Sequence, residues 1–419
     1  MFLPTLRKIR IYFAARRWLR RLRTAQGRAL VVTLVSLIGW SVWNGFRTFD
    51  HPWGDLSGGE FTDHFSHMNA ARLFPALGSD LWRVPIAQRF RPLTPGELAH
   101  VPEDLRMGAS RTGGLYFVPG WPRDKPLVIS WSHKTRMYPP GDLLLVAPIA
   151  ALYHYTRLSF SGACRMLLGW FLVLAHVALF FFFLTYFEDG RSGIDWLACF
   201  LVYSQVIYWT LEGFYDPVVM VPMILCARYL AQRRGLAATV AYCVGAMLHF
   251  RVFFQAPWPL CAIWFMVRDK IWQRVQPRDA VALTIAGLCA STALYVCWLD
   301  WGSLSSVPLN NPLRGGFGAL SKPMLWNFEV VLLACMAALL LAQAWFDLVS
   351  LAFLGLIAMS LREFYAWHFV ISMSWIAAPT KRPMVRGVRL AFLFSTITIV
   401  FNQTFLPNWL GMLFHPNAR

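Results

Sequence analysis

The stretch ALVVTLVSLIGWSVWNGF, residues 29–46, decides the fold of this chain, because it is 18 residues long and carries no charged side chain. A helix rises about 1.5 Å per residue, so this stretch can cross the roughly 30 Å hydrocarbon core of a bilayer. The segment before it, residues 1–28, is strongly basic and contains no acid. Cytoplasmic segments of membrane proteins carry an excess of Lys and Arg, so residues 1–28 are predicted to be a cytoplasmic or interfacial segment.

The composition of the whole chain also predicts a membrane protein. Of its 419 residues, 57% are hydrophobic and 14% are charged, which is too apolar for an ordinary soluble domain. The formal net charge is +18, but the basic residues cluster beside apolar runs, which is typical of membrane topology and not of nucleic-acid binding. The eight cysteines form no Cys-x-x-Cys pair and lie mostly in apolar runs, so neither disulfides nor cysteine metal ligands are predicted.

Apolar runs recur along the chain and predict an all-α, polytopic transmembrane helical bundle of about eleven spans. The runs are Ala29–Phe46, Tyr138–Tyr155, Ala163–Phe187, Ile194–Leu211, Pro217–Ala231, Leu236–Phe254, Trp258–Val267, Ala280–Trp298, Leu325–Phe346, Leu348–Ser360, Phe364–Ala378 and Val388–Leu410. Basic clusters around Arg233, Arg274 and Arg386 indicate cytoplasmic turns. Counting from a cytoplasmic N-terminus places Arg233 outside unless one earlier run does not cross. We expect Ile194–Leu211 to be that short or re-entrant run.

A large polar loop, residues 47–137, separates the first two spans and is predicted to be extracytoplasmic. It contains nine of the chain's 21 acidic residues and no cysteine. Within it, Thr62–Leu77 has helical periodicity, whereas Arg91–Lys125 is expected to be irregular. The loop is therefore the longest polar part of the chain and the first place to look for a site.

The stretch from Asp50 to His67 is the richest in chemically useful side chains. Asp63 and His67 are four residues apart, so they share a face if this segment is helical, and His64 lies beside them. An ionised carboxylate at a helix start near the membrane surface is a candidate general base. Two other interpretations stay open. Asp63 could simply cap the helix, or these Asp and His residues could bind a metal, although their spacing matches no tight ligand motif.

Two further polar groups stand at span boundaries, where ionisable residues tend to be functional. Glu212 and Asp216 are expected to face the same side as the large loop, or they simply sit in headgroup water. His249 and Arg251 end another apolar run. An arginine at that depth needs an anionic partner, and a phosphate suits its two-pronged donors, unless the side chain extends to the surface instead.

The last two candidates combine cations with a membrane boundary. Lys134, Arg136 and Tyr138 precede a span that begins with two prolines, an arrangement suited to an anionic headgroup and equally to an ordinary interfacial collar. Arg362 lies between two short runs and could pair with Glu363 instead of a ligand. No Gly-rich phosphate loop, nucleophile elbow or zinc signature is present in the sequence.

Several of these residues belong to short motifs that follow one another in a particular order. The motifs are Gly58–Arg72, Leu77–Pro85, Tyr138–Pro140, Glu212–Asp216, Arg233–Gly235 and His249–Pro257. Their order and spacing resemble the GT-C superfamily of membrane glycosyltransferases, and the resemblance covers roughly residues 1–260. This chain departs from the family pattern twice. Asp63 stands alone and not in an Asp-x-Asp pair, and Arg251 replaces the usual Lys.

The resemblance implies an inverting glycosyltransferase that moves a sugar from a polyprenyl-phosphate carrier to a hydroxyl of a glycan or lipid-linked acceptor. Asp63 would be the catalytic base. The substrate-binding residues would be His64, His67, Lys134, Arg136, Tyr138, Glu212, Asp216, His249, Arg251 and Arg362. No cofactor is expected, with a divalent metal as the less favoured alternative, and no nucleic-acid partner.

The chain is expected to have three segments and to lie in a bacterial inner membrane. Residues 1–28 form the basic segment, residues 29–267 form the GT-C-like catalytic module with its loop, and residues 268–419 form C-terminal transmembrane helices. The composition suggests a bacterial inner membrane, with a cytoplasmic N-terminus, surrounding membrane lipids as partners, and a site facing the periplasm. The alternatives are a transporter or flippase for a lipid-linked or anionic substrate, and a non-catalytic membrane scaffold.

Overall fold

The protein is a helical bundle with one short pair of strands in the part of the chain that the structure describes. The computed structural model describes residues 24–46, 70–75, 77–83, 90–101, 115–117, 127–129, 140–158, 160–188, 193–211, 216–249, 252, 255–273, 275–299, 322–361, 375 and 378–400. The helices are α1 Ala25–Phe46, α2 Asp80–Arg83, α3 Pro95–Ala99, α4 Gly141–Tyr155, α5 Phe160–Glu188, α6 Gly193–Leu211, α7 Asp216–Ala231, α8 Gly235–Leu248, α9 Pro257–Arg268, α10 Pro277–Leu299, α11 Lys322–Leu341, α12 Trp345–Leu361 and α13 Pro383–Val400.

The all-α prediction is confirmed for the bundle, and the strands are a small addition within the large loop. β1 Leu115–Phe117 and β2 Leu127–Ile129 pair antiparallel, with Tyr116 opposite Val128. Short strands of this kind are stable only against other structure, so they do not change the fold class.

Within the described residues, three helices are long and apolar enough to span a bilayer, namely those covering Ala25–Gly45, Arg165–Glu188 and Pro277–Val296. Shorter apolar helices of 10–17 residues accompany them. These lengths and compositions agree with membrane association. The count of about eleven spans stays a prediction.

The basic residues at helix ends gather at one end of the bundle, which we call the basic end; the opposite end is the far end. The guanidinium of Arg28 lies over the ring of Phe187, 5.1 Å from its centroid, so the start of α1 meets the end of α5. Arg228, in the last turn of α7, donates to Thr185 and pairs with Glu188 at 3.0 Å. The end of α7 therefore lies at the basic end, as the charge pattern predicts.

A chain of hydrogen bonds joins α1, α5 and α6 about halfway along the bundle. Nε1 of Trp40 donates to the hydroxyl of Tyr203 at 2.6 Å, and that hydroxyl lies 2.6 Å from Oγ of Ser36. Ser36 in turn lies 2.8 Å from Nε2 of His176, whose Nδ1 is 2.7 Å from the carbonyl of Leu172. A carbonyl only accepts, so Nδ1 carries the proton and Nε2 of the neutral ring accepts from Ser36. Every member of this buried chain is thereby satisfied, as an apolar surrounding requires.

Helix α6 connects the two ends of the bundle, which differs from the prediction that Ile194–Leu211 does not cross. It begins five residues after Glu188 at the basic end and ends five residues before Asp216, where α7 starts at the far end. A continuous helix of 19 residues is about 28 Å long, which suffices for that distance.

Helix α4 is instead the element that stays at one end. Its first residue, Gly141, is so close to the backbone of Met247, at the far end of α8, that an added Cβ would lie 2.6 Å from that carbonyl oxygen. Its last residue, Tyr155, comes five residues before Phe160, where α5 begins at the far end. Because α4 begins and ends at the far end, it is the run that does not connect the two ends. This accounts for the position of Arg233 at the basic end. Hydropathy alone does not distinguish such a helix from a span, so the sequence could not choose between α4 and α6.

The α8–α9 contact depends on a residue without a side chain. A Cβ added at Gly235 would lie 2.5 Å from the carbonyl oxygen of Ala262 and 2.9 Å from the backbone nitrogen of Met266. These are backbone atoms, so relief would require moving one helix relative to the other. Gly235 therefore sets the distance between α8 and α9 at the basic end.

We expect Gly235→Ala to lower the free energy of unfolding by about 1–3 kcal/mol, because the added methyl group overpacks a backbone contact. Gly287→Ala is the matched control, since a Cβ at Gly287 of α10 meets nothing within 4 Å. In the control, the better helix propensity of Ala should leave stability equal or raised by up to about 1 kcal/mol. Thermal unfolding of detergent-solubilised protein measures both. Equal behaviour of the two variants would contradict the tight contact.

Candidate functional site at the far end

Two of the predicted site residues fall within the described chain, and both lie at the far end. Asp216 is the first residue of α7, and His249 follows the last residue of α8. Because α7 and α8 form an antiparallel hairpin closed at the basic end, the start of one meets the end of the other. The other predicted site residues lie outside the described residues: Asp63, His64, His67, Lys134, Arg136, Tyr138, Glu212, Arg251 and Arg362.

His249 ends α8 by adopting an extended conformation, with φ −151° and ψ 122°. Its backbone N–H still donates to the carbonyl of Gly245 at 2.9 Å, which closes the last helical turn. The residue is buried. The predicted span Leu236–Phe254 is therefore corrected, because the helix ends at Leu248.

The described residues after His249 turn back along α8, and we call His249, Val252, Gln255 and Ala256 the return segment. The N–H of Val252 donates to the carbonyl of His249 at 3.1 Å, and the hydroxyl of Tyr242 donates to the carbonyl of Val252 at 3.1 Å. Tyr242 lies seven residues before His249, about 10 Å closer to the basic end. Backbone outside the α-helices is thus brought inside the bundle, where it is tolerated because protein covers it.

Gln255 is the polar side chain that the return segment buries most deeply. It is 0% exposed, and neither its Oε1 nor its Nε2 has a hydrogen-bond partner among the described residues. Burying an amide without a partner costs about 1–3 kcal/mol, so this side chain is available to a polar ligand. Gln255 was not among the residues predicted from the sequence; its position between Phe254 and Pro257 at the end of an apolar run was the available signal.

We expect Gln255→Met to raise the free energy of unfolding by about 1 kcal/mol, since Met fills the space without an amide that lacks a partner. Gln276→Met, at an exposed position before α10, is the matched control and should leave stability unchanged. Thermal unfolding in detergent compares the two. Destabilisation by Gln255→Met would show that the amide has partners when the protein is folded.

A second group of buried polar residues at the far end comes from the large loop and α4. Arg72 is buried, and its guanidinium lies 4.8 Å from the ring centroid of Tyr153. Burial lowers the pKa of Arg72, with the nearby Tyr153 opposing that change. The carboxylate of Asp142, in the first turn of α4, is also fully buried. Arg72 ends the motif Gly58–Arg72 and Asp142 lies two residues after the motif Tyr138–Pro140, but neither was predicted to be a site residue.

The segment around Arg72 is held against the far end by apolar contacts. Leu73, Leu77 and Trp82 form a buried cluster with Leu143 of α4 and Val296 of α10. This part of the large loop therefore folds onto the bundle and carries Arg72 with it. The chain just before it, which includes Asp63, lies outside the described residues.

Glu97, one of the acidic residues of the large loop, has a structural role. Thr94 and Glu97 form a capping box at the start of α3, and Arg91 donates to both carboxylate oxygens of Glu97 at 2.7 and 2.8 Å. The hydrogen bonds from Arg91, followed by those from Thr94, lower the pKa of Glu97 to about 2. Both carboxylate oxygens of Glu97 are thus hydrogen-bonded to residues of the same loop.

The lowered pKa predicts how α3 responds to acid. Glu97 favours the folded loop above its ordinary pKa of 4.5, and that contribution is lost as the pH falls through the folded value of about 2. We expect hydrogen-exchange protection of the Leu98 amide to persist at pH 4 and to fall towards pH 2. Glu97→Gln should lose this pH dependence. Protection lost already at pH 4 would contradict the capping arrangement.

An apolar groove runs from the far end to the basic end along α7 and α8. Its volume is about 1050 Å³, and its walls include Leu145, Val218, Val244 and Leu248. Leu248 directly precedes His249, so one end of the groove reaches the buried polar group. The opposite end is lined by basic residues, including Arg234. Such a space suits a long apolar chain better than a sugar.

The described residues contain no group of three or more His, Cys, Asp or Glu side chains placed to hold a metal ion. The candidate metal ligands of the large loop, Asp63, His64 and His67, lie outside them. Comparisons of the chain with family models, curated proteins and solved structures gave no match. The function is therefore argued from the residues themselves.

Proposed function

We propose that this protein is an inverting glycosyltransferase of the GT-C type, which uses a polyprenyl-phosphate sugar at the far end of the bundle. The observation that carries the proposal is the apolar groove of about 1050 Å³ whose end at Leu248 adjoins the buried His249. A lipid-linked donor likewise has an apolar part and a polar part, because its long apolar chain is joined to a phosphate and a sugar. The order of motifs in residues 1–260 supports the same assignment.

In the proposed reaction, Asp63 removes the proton of the acceptor hydroxyl while its oxygen attacks the anomeric carbon of the donor sugar. The bond between that carbon and the phosphate oxygen breaks, and polyprenyl phosphate leaves with the bonding electrons. Attack from the opposite face inverts the anomeric configuration. The leaving group is already a stable anion, so no second carboxylic acid is needed, in contrast to glycoside hydrolysis.

The phosphate needs cations where negative charge grows during departure. Arg251 follows His249 by two residues, and Lys134 or Arg136 precedes α4, which begins beside the end of α8. Guanidinium groups bind phosphate through paired, charge-assisted hydrogen bonds. The remaining predicted contacts, His64, His67, Tyr138, Glu212, Asp216 and Arg362, would hold the sugar and the acceptor.

The proposed orientation places the basic end in the cytoplasm and the far end outside it, in a bacterial inner membrane. The positive-inside distribution supports this orientation, since Arg28, Arg228, Arg233 and Arg382 all lie at the basic end. The acceptor, a glycan or a lipid-linked molecule, would then approach from the periplasm.

We expect Asp63→Asn to lower turnover by about 10²–10⁴-fold, because it removes the general base while keeping the shape of the side chain. Purified protein in nanodiscs is incubated with a panel of radiolabelled polyprenyl-phosphate sugars, and sugar release or transfer is followed. Glu97→Gln is the matched control, since this loop acid serves the α3 cap, and its turnover should stay near wild type. Equal loss in both variants would contradict a catalytic role for Asp63.

A transporter or flippase for a lipid-linked or anionic substrate is the second candidate, and the return segment favours it. Interrupted helices are common at transporter sites, and the return segment lies between α8 and α9 and buries Gln255 without a partner among the described residues. Proteoliposomes distinguish the two functions. Movement of a fluorescent polyprenyl-phosphate sugar between leaflets without sugar transfer would favour the flippase and overturn the transferase.

A further inference from the structure

A second cavity lies at the basic end, away from the proposed catalytic end. Its volume is about 670 Å³, and it lies between the α7–α8 turn, the start of α12 and the start of α13. We call it the basic-end cavity. Its inner wall contains Asp347 and Arg389, and its rim carries the cations Arg233, Lys381 and Arg382.

The inner wall of the basic-end cavity has no net charge, because Asp347 and Arg389 form an ion pair there, and hydrogen bonds hold both side chains in place. Arg389 donates through Nε and Nη2 to Oδ1 of Asp347, at 2.8 and 2.6 Å, and through Nη1 to the carbonyl of Ala378 at 2.6 Å. Nε1 of Trp375 donates to the same Asp347 oxygen at 2.9 Å. A buried ion pair with this many hydrogen bonds is satisfied internally. Asp347 is therefore unavailable to neutralise the rim.

The rim cations keep their charge free for a ligand. Among the described residues, Arg233, Lys381 and Arg382 form no ion pair within 4.0 Å. Asp269 is close enough to respond to Arg233, since its pKa is lowered first by the hydrogen bond from Arg268 and further by the charges of Arg268 and Arg233. Asp269 thus already has a partner. The basic-end cavity therefore has an excess of positive charge, which favours an anionic ligand.

The backbone at the start of α12 also favours an anion in the basic-end cavity. Trp345 and Phe346, in the first turn of α12, line the cavity, and the N–H groups of a helix start are not used within the helix. The helix dipole adds positive potential there. These donors complement the Lys381 and Arg382 side chains, and a phosphate accepts hydrogen bonds from both kinds of group.

Apolar surface beside the cations indicates an amphiphile. Leu230, Phe265 and Val385 line the cavity together with the charged rim. Two tryptophans on the outer surface of the neighbouring helices, Trp264 and Trp345, are 63% and 61% exposed. Tryptophan favours the headgroup level of a bilayer, so the cavity opens where lipid phosphates lie.

We propose that the basic-end cavity binds the phosphate of an anionic glycerophospholipid from the leaflet at the basic end. The headgroup phosphate would sit between Arg233, Lys381 and Arg382, with the start of its acyl chains against Phe265. This site is separate from the proposed catalytic end and does not depend on the glycosyltransferase assignment. Basic pockets between transmembrane helices are a general means of lipid recognition.

The test measures binding of single lipids to the full chain in detergent by native mass spectrometry. The probes are phosphatidylglycerol, phosphatidylcholine and inorganic phosphate, each added alone. We expect preferential binding of phosphatidylglycerol. Lys381→Gln/Arg382→Gln should weaken it by about 25-fold, since each cation near a lipid phosphate contributes about fivefold. Both residues lie at the surface, so the fold should be unaffected, and unchanged thermal unfolding checks this.

Lys270→Gln/Arg278→Gln is the matched control, because it removes two exposed cations near the basic end that do not line the basic-end cavity. Its phosphatidylglycerol binding should change by less than about threefold, since exposed distant charges are screened. An equal loss in both double variants, or a loss in neither, overturns the proposal. Inorganic phosphate binding as tightly as the lipid would also overturn it, because the site would then recognise a free anion.

Discussion

The closure of the α7–α8 hairpin is the constraint on which both cavities and the far-end site depend. Arg233 adopts a left-handed conformation, with φ 60°, and the N–H of Arg234 donates to the carbonyl of Tyr229 at 2.8 Å. This geometry ends one helix and reverses the chain within three residues. Gly235 then begins α8 close against α9. The hairpin thus fixes Asp216 and His249 together at one end and the cationic rim at the other.

Sequence patterns predicted the elements that hydropathy and charge determine. The apolar run from Ala29 gave α1, and the basic clusters marked helix ends that do gather at one end of the bundle. The count of spans also placed Asp216 on the side of the large loop, although it took α6 and not α4 as the element that does not cross; the backbone of Asp216 lies at the far end with His249. These successes share a cause. A residue's preference for lipid or for headgroup water is local, so it is readable from a short window.

Features that depend on contacts between distant segments were not predictable. The position of α4 follows from Gly141 meeting Met247, about a hundred residues later in the chain. The pair of Asp347 and Arg389 and the burial of Arg72 against Tyr153 are also contacts between separate segments. Gln255 was missed for a related reason. A polar residue at the end of an apolar run usually meets water, and only the return segment carries this one back inside.

The hydrogen-bond chain between α1 and α5 has a consequence for how the protein is made. Ser36 is bonded to His176, which lies 140 residues later in the chain. At a synthesis rate of about 5–20 residues per second, His176 leaves the ribosome roughly 7–28 s after Ser36. During that interval the hydroxyl of Ser36 can bond to the carbonyl four residues earlier in its own helix, as serine commonly does. The bond to His176 therefore forms only after α5 is made, and it joins α1 to a helix synthesised much later.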